Sequence, residues 1–440
     1  MTNLSPRADA LAIWHAAVDA ARPDVLLPKA LRENRSIRAA LTSAKRILVV
    51  GAGKAGAAMS AALEEALDDL LPKVEGIVNV PADTVRSLRK IVLHAARPAA
   101  SNHPTAEGVI GAERMLDLVS HAGPDDVLIC LLSGGGSALL PAPAEGISLA
   151  DKQVVTKLLH ACGASINEMN GVRKHLSRIK GGRLAQAFTG REFISLIISD
   201  VVGDPLDVIA SGPTAPDPST FVDALAILEH YRLTAQVPSN VLDHLQRGAA
   251  GAIAETAKQE GRGENIILGN NNGALFAARA KAESLGYHVL QLGSFIEGET
   301  RQVAIAIAGI VHSIRDCSQP LAPPACILIG GETTVTLGEG AGKGGRNQEF
   351  VLAMLTKLGI DGMKGVVVLS GGTDGEDGPT DAAGAIADQQ DMSKVRDQRL
   401  KMEEALAKHD AYPLLDAAGC LIRTGLTQTN VMDVRVILVV

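Results

Sequence analysis

Six short apolar runs in this sequence are each followed at once by glycine and small polar or acidic residues. RILVV (46–50) leads into GAGKAG, DVLICLL (126–132) into SGGGS, and FISLIIS (193–199) into DVVGD. NIILG (265–269) leads into NNNG, ACILI (325–329) into GGETT, and VVVLS (366–370) into GGTDGEDG. Helical stretches lie between them, the pattern of βα units around a mostly parallel sheet. In open sheets of that kind ligands bind beyond the carboxyl ends of the strands, so this repeated order places polar chemistry on a binding edge. Glycine after one strand is ordinary punctuation. Six such turns, four with charged or multi-donor groups, form a consistent edge.

Composition sets the frame around those strands. A chain of 440 residues has room for two or three domains, and 46% hydrophobic with only 2% aromatic residues means an aliphatic core. A net charge of −7 and few aromatic rings leave neither a basic footprint nor a stacking platform, which argues against nucleic acid as a partner. No uncharged apolar run approaches a membrane span, and MTNLSPRADALAIWHAAVDA reads as an amphipathic helix, not a signal peptide. The 5 cysteines form no CxxC pair, so reduced thiols in a cytoplasm are expected and thiolate metal binding is not. A polar, glycine-containing connector within 235–262 suggests two α/β lobes, 1–240 and 241–440. SDVVGDPLDVIASGPTAPDPST (199–220) is a long polar loop of the kind that carries function.

The strand ends supply the candidate chemistry. Gly51, Gly53 and Gly56 match the GxGxxG fingerprint of dinucleotide sites, but no ribose-binding acid follows the next strand at the right place. Lys54 within that loop favours a phosphate or a substrate anion over a nicotinamide dinucleotide, with a purely structural turn as the remaining reading. Ser133, Gly134, Gly135, Gly136 and Ser137 can let backbone amides approach an anion. Asp200, Asp204, Asp374, Asp377 and Asp381 stand in strand-end turns, where carboxylates either hold Mg²⁺ or form the turn. Asn270 opens the NNNG turn. Arg346, in GKGGRNQEF, can fork onto carboxylate or phosphate oxygens, and Glu332 can orient a lysine or arginine. The absence of a GxSxG elbow disfavours a serine hydrolase. His103 stands in a loop where it could contact substrate.

Taken together, GAGKAG, SNHPTAEG, LLSGGGSALLPAPAEGISLADKQ, SINEMNGVRKHLSRIKGGRLA, LIISDVVGDPLDVIASGPTAPDPST, IGGETTV, GKGGRNQEF and SGGTDGEDGPTDAAGA resemble the glycerate 2-kinases of the MOFRL type. Some members of that family carry the older name hydroxypyruvate reductase. The resemblance spans about residues 8 to 440. It implies a Rossmann-like parallel-sheet α/β/α N-terminal domain and a second α/β domain, with MOFRL over about 325–435 and a cleft between the domains. It implies ATP and Mg²⁺ as cosubstrates and a small hydroxy acid, D-glycerate, as the substrate; self-association is left open. Carried over by position, the essential lysine is Lys54 and the essential arginine Arg346. Asp200 or Asp377 would hold Mg²⁺ or orient the acceptor hydroxyl, with Asp200 the candidate catalytic carboxylate and Asp204 and Asp377 the candidate Mg²⁺ ligands. The nucleotide and substrate would be held by Gly51, Gly53, Gly56, Ser133–Ser137, Asn270, Glu332 and Asp374. One segment departs from the family's TGPTGTNVND: here it reads Thr424-Gly425-Leu426-Thr427-Gln428-Thr429-Asn430-Val431-Met432-Asp433, which lacks the second glycine and the proline. An NAD(P)H-dependent hydroxypyruvate reductase and a non-catalytic sugar-acid sensor are the rival readings.

Overall fold

In the computed structural model the described residues are 5–98, 103–338, 340–394 and 399–440; Ser101 and Asn102 of the SNHPT segment lie outside them. The chain divides into two units, Leu26–Leu268 and Met1–Val25 with Gly269–Val440. The first is built on a six-stranded sheet of β1 (Ile47–Ala52), β2 (Val74–Pro81), β3 (Ile91–Arg97), β4 (Val127–Ser133), β5 (Glu192–Ile198) and β6 (Gly263–Gly269). Ile47, Leu48, Val49 and Val50 are all fully buried, as a strand covered by helices on both faces requires. The strand order is β3-β2-β1-β4-β5-β6, and the pairs β1·β2, β2·β3, β1·β4 and β4·β5 are parallel. That is the doubly wound order of dinucleotide-binding folds, and its direction of growth reverses between β1 and β4. Adjacent crossovers leave in opposite directions there, which opens a crevice at the strand ends. The loops of GAGKAG and SGGGS therefore face the same switch point.

The second unit carries β7 (His288–Gln291), β9 (Ala325–Gly331), β11 (Val366–Gly372), β12 (Gly384–Asp388), β13 (Leu421–Ile422) and β14 (Asp433–Val439), in the order β13-β12-β11-β14-β9-β7. Two-residue strands β8 (Gly298–Glu299) and β10 (Thr333–Thr334) pair separately. Every pairing in this sheet except β7·β9 is antiparallel, which corrects the expectation of a mostly parallel sheet for this half. The cause is β14, the last strand, which inserts between β9 and β11 and runs against both. The helices Thr300–Cys317 and Arg346–Gly362 pack on one face of this sheet, around Ile327, Ile329, Phe350, Val368 and Ile437.

The division also differs from a simple cut at residue 240. β6 joins the first sheet, and the helix Pro6–Ala20 belongs with the second unit. Trp14 explains the latter. Its ring is fully buried and its Nε1 donates to Gly371 O at 3.3 Å, at the end of β11. No described helix is long and apolar enough to cross a membrane.

Candidate active site

At the switch point the GAGKAG turn is folded onto β4. Gly53 has φ 151°, and a Cβ there would collide with Ser133 Oγ; one on Gly51 would collide with Leu131 O. The amides are used within the protein: Gly53 N donates to Asn79 O (3.4 Å), Lys54 N to Gly134 O (2.8 Å) and Gly56 N to Gly53 O (3.1 Å). Ala55 N donates to Ser133 Oγ at 3.1 Å. Gly56 lets its helix approach Val78 and Val80 of β2. Gly51, Gly53, Gly56 and Ser133 thus serve close approach of β1, β2 and β4, with the Gly53 and Gly56 amides bonded within the protein. The Lys54 side chain leaves this turn beside Gly135.

The SGGGS turn brings further cations. Gly135 has φ 74°, and a Cβ there would lie 3.5 Å from Lys54 Cγ and 3.7 Å from Arg97 Nη2, so Lys54, Gly135 and the end of β3 meet. Gly136 lies against Ala52 and Ala210. Ser137 Oγ accepts from Arg173 Nη2 (2.6 Å) and Lys180 Nζ (2.6 Å), and lies 2.9 Å from Ser211 Oγ. Lys180 Nζ also donates to Ser137 O at 2.7 Å. Ala210 and Ser211 hold left-handed φ values of 51° and 62°. Such backbone costs on the order of 1–3 kcal/mol per residue and persists where the surroundings enforce it. Gly181 N to Ser211 O (3.1 Å) and Gly182 N to Gly212 O (2.7 Å) do so here.

Burial lowers the pKa of Arg173. Burial, then Arg173, brings Lys152 down to about 7. Lys180 is held well below the ordinary lysine value by burial and then by Arg173, Lys152 and Lys174. Lys174, by contrast, has acids of its own, Asp207 at 3.0 Å and Asp217 at 3.2 Å. Asp200 and Asp204 follow β5, the neighbour of β4, and are half-buried at the same sheet edge. Asp204 closes a turn through its amide to Val201 O (3.1 Å) with φ 55°. Arg97, Asn170, Arg173, Lys180 and Ser211 were not among the expected site residues. A signal existed: residues 170–183 hold Arg173, Lys174, Arg178, Lys180 and Arg183 without one acid, in a chain of net charge −7.

In the second unit the antiparallel insertion of β14 sets Asp433 between Gly331 and Gly372, at the carboxyl ends of β9 and β11. Arg346 opens its helix there and grips Asp433 with both arms, Nε to Oδ2 at 2.7 Å and Nη2 to Oδ1 at 3.0 Å. Its Nη1 lies 2.9 Å from Glu332 Oε1. Burial opposes charge on Arg346, but Asp433 and Glu332 outweigh it and raise its pKa. Asp433 is buried too, and Arg346 and Arg435 hold it below the usual carboxylate range. Arg435, fully buried, donates to Thr333 Oγ1 (2.7 Å) and Asp433 (3.2 Å) and stacks over Phe350.

Asp377 is not displayed as a metal ligand. Its two oxygens accept from Asn347 N (3.0 Å) and Gln348 N (2.9 Å) at the start of the Arg346–Gly362 helix, where the dipole favours a carboxylate. Burial nevertheless pushes its pKa up to about 6. Among the described residues no group of three or more His, Cys, Asp or Glu is arranged to hold a metal ion. Asp374 accepts from Glu376 N at 3.0 Å in its turn, and Asn270 caps the helix Asn271–Ser284 by accepting from Gly273 N at 2.9 Å. Its neighbour Asn271 donates to Val431 O and Asp433 O, which ties that helix start to the entry of β14. The 424–433 loop keeps a glycine-like shape without the glycine: Gln428 has φ 63° and Met432 φ 68°. Thr427 Oγ1 donates to Thr373 O at 2.5 Å, and Asn430 Oδ1 accepts from Met432 N at 3.2 Å.

A family model described as a domain of unknown function, DUF4147, matches residues 9–246, and the MOFRL family model matches 325–433. Glycerate 2-kinase of Pyrococcus horikoshii is 39% identical over 396 residues, 90% of this chain and 87% of that protein. This chain belongs to the DUF4147–MOFRL glycerate kinase family. Glycerate kinase of Thermotoga maritima, a solved structure, matches with TM-score 0.86 and 34% identity, covering 99% of this chain and 100% of that one. A protein of Agrobacterium vitis that carries a hydroxypyruvate reductase name is 41% identical, covering 97% of this chain and 93% of its own length. Membership of this kinase family makes the chain an enzyme, and the two-unit α/β fold is the family's own.

Proposed function

We propose that this protein is an ATP-dependent glycerate 2-kinase, transferring the γ-phosphoryl group to the C2 hydroxyl of D-glycerate to give 2-phospho-D-glycerate and ADP. The observation that carries the reading is the switch-point cluster of Lys54, Arg173 and Lys180, cations gathered at the edge where α/β sheets bind ligands. Phosphoryl transfer asks a protein for alignment of acceptor and phosphate and for neutralisation of spreading charge, with little covalent chemistry. Lys54 supplies a charge to the transferring group or to the substrate carboxylate. The Gly134–Ser137 turn lies against the nucleotide phosphates. Asp200 orients the C2 hydroxyl and takes its proton.

Arg346 acts as a second phosphate or carboxylate clamp. Its half-exposed partner Glu332 is the one that yields to a ligand, because Asp433 is buried and held by three other groups. A Mg²⁺ ion bound with the nucleotide would neutralise charge on the phosphate oxygens, and half-buried Asp204, at the same sheet edge as the Lys54 turn, is the carboxylate of this chain that would hold it. Asp377 is left out of the metal assignment, since both its oxygens cap a helix.

The test is purified protein with D-glycerate, ATP and Mg²⁺, following ADP and locating the phosphate on the product by NMR, beside hydroxypyruvate with NADH. ADP formation with phosphate on C2 is expected. Phosphate on C3 overturns the regiochemistry, and NADH oxidation without ADP formation overturns the kinase reading.

A further inference from the structure

Ser137 Oγ offers two lone pairs and one proton. Arg173 Nη2 and Lys180 Nζ, each at 2.6 Å, fill the lone pairs. The Ser137 proton is thereby directed to Ser211 Oγ (2.9 Å), and the Ser211 proton to Asn170 Oδ1 (3.2 Å). Two cations share one neutral hydroxyl, and among the described residues neither has a carboxylate partner. Lys180 is 2% exposed, enclosed behind the hydroxyl. Arg173 is half-buried and, among the described residues, uses one of the five N–H donors of its guanidinium. Lys174, one position along the helix, is also buried but meets two carboxylates. An enclosed positive pair without counter-charge is costly unless an anion completes it.

We propose that Arg173, backed by Lys180 through Ser137, seats an anionic oxygen group of a reactant, either the carboxylate of the hydroxy acid or a phosphate of the nucleotide. The guanidinium fork touches the ligand; Lys180 holds the hydroxyl that aims it and adds its charge from behind. This rests on the kinase reading only for the identity of the reactants.

The test measures binding directly, by calorimetric titration of the full-length wild type, Arg173→Gln and Arg173→Lys with D-glycerate, with ADP and with inorganic phosphate. Arg173→Gln is expected to weaken one reactant by about tenfold or more, the order expected for a lost charge-assisted bond. Loss confined to D-glycerate marks a carboxylate seat, and loss for ADP and phosphate marks a phosphate seat. Arg173→Lys, which keeps the charge without the fork, should recover part of the affinity. Unchanged affinities for all three ligands in a variant with wild-type melting temperature overturn the proposal. If Arg173→Gln does not fold, Arg173→Lys is read the same way, a loss supporting the seat and unchanged binding overturning it. Arg173-dependent binding in a wild type that transfers no phosphoryl group overturns the kinase reading and leaves this one standing.

Discussion

The two cationic centres of this protein are neutralised in opposite ways. In the first unit Arg173 and Lys180 converge on a serine hydroxyl, and Lys54 lies beside Gly135. In the second, Arg346 and Arg435 converge on Asp433, with Glu332 completing the set for Arg346. A hydroxyl leaves positive charge for something else to balance; a buried carboxylate balances it already. On the anion-seat proposal, Arg173 and Lys180 are the pair that a reactant anion completes. The second sets two arginines against two carboxylates and ties the ends of β9 and β14 to the start of the Arg346–Gly362 helix.

That contrast makes testable claims. The largest effect is expected from Lys54→Ala, which should lower kcat by about 10⁴-fold, the scale of a cation acting on a transferring phosphoryl group, with an unchanged melting temperature. Near-normal turnover in that variant would remove Lys54 from the site. Asp433→Ala should instead strike stability, by about 3–5 kcal/mol in chemical denaturation, because it strands buried Arg435 and half-buried Arg346. A variant as stable as wild type breaks the idea of a self-balanced second centre.

Lys180→Met should move stability the other way. Removing an enclosed ammonium that burial and three neighbouring cations disfavour is expected to stabilise the free protein by about 1 kcal/mol while weakening anion binding. Destabilisation there would mean that Lys180 is a structural tie after all. The smallest effect is expected from Gln428→Gly in the loop that delivers Asp433. Relief of a left-handed φ of 63° should raise stability by about 0.5–1 kcal/mol, read as a small upward shift in melting temperature. No gain would show that contacts of the glutamine side chain offset the backbone cost.

Much of the scaffold was readable in the chain. The six apolar runs became β1, β4, β5, β6, β9 and β11, displaced by two residues or fewer at their starts, because continuous β-branched runs between glycines have few other uses. Direction was not readable. VRVILVV has the same apolar character whichever way it runs, so only its partners make β14 antiparallel. That the helix Pro6–Ala20 groups with the second unit was not readable either, because Trp14 finds Gly371 across most of the chain's length.

Site residues divided along the same line. Lys54 stood out locally, as a cation within a strand-to-helix glycine turn. Asp377, in an Asp-Gly turn, read as a metal ligand, since nothing local shows that its oxygens will meet the amides of Asn347 and Gln348. Gly51, Gly53 and Gly56 fitted a phosphate fingerprint, yet the same glycines equally permit two strands and a helix to close on one another, and here they do.

The sequence by itself determined where polar groups would gather, because strand ends, glycine turns and cation-rich stretches are local properties of the chain. Only the tertiary structure decided which of those charges are answered. Arg346 meets Asp433 from 87 residues away, whereas Arg173 and Lys180 meet no acid among the described residues. Charge balance depends on distance and burial in three dimensions, and neither is a function of spacing along the chain.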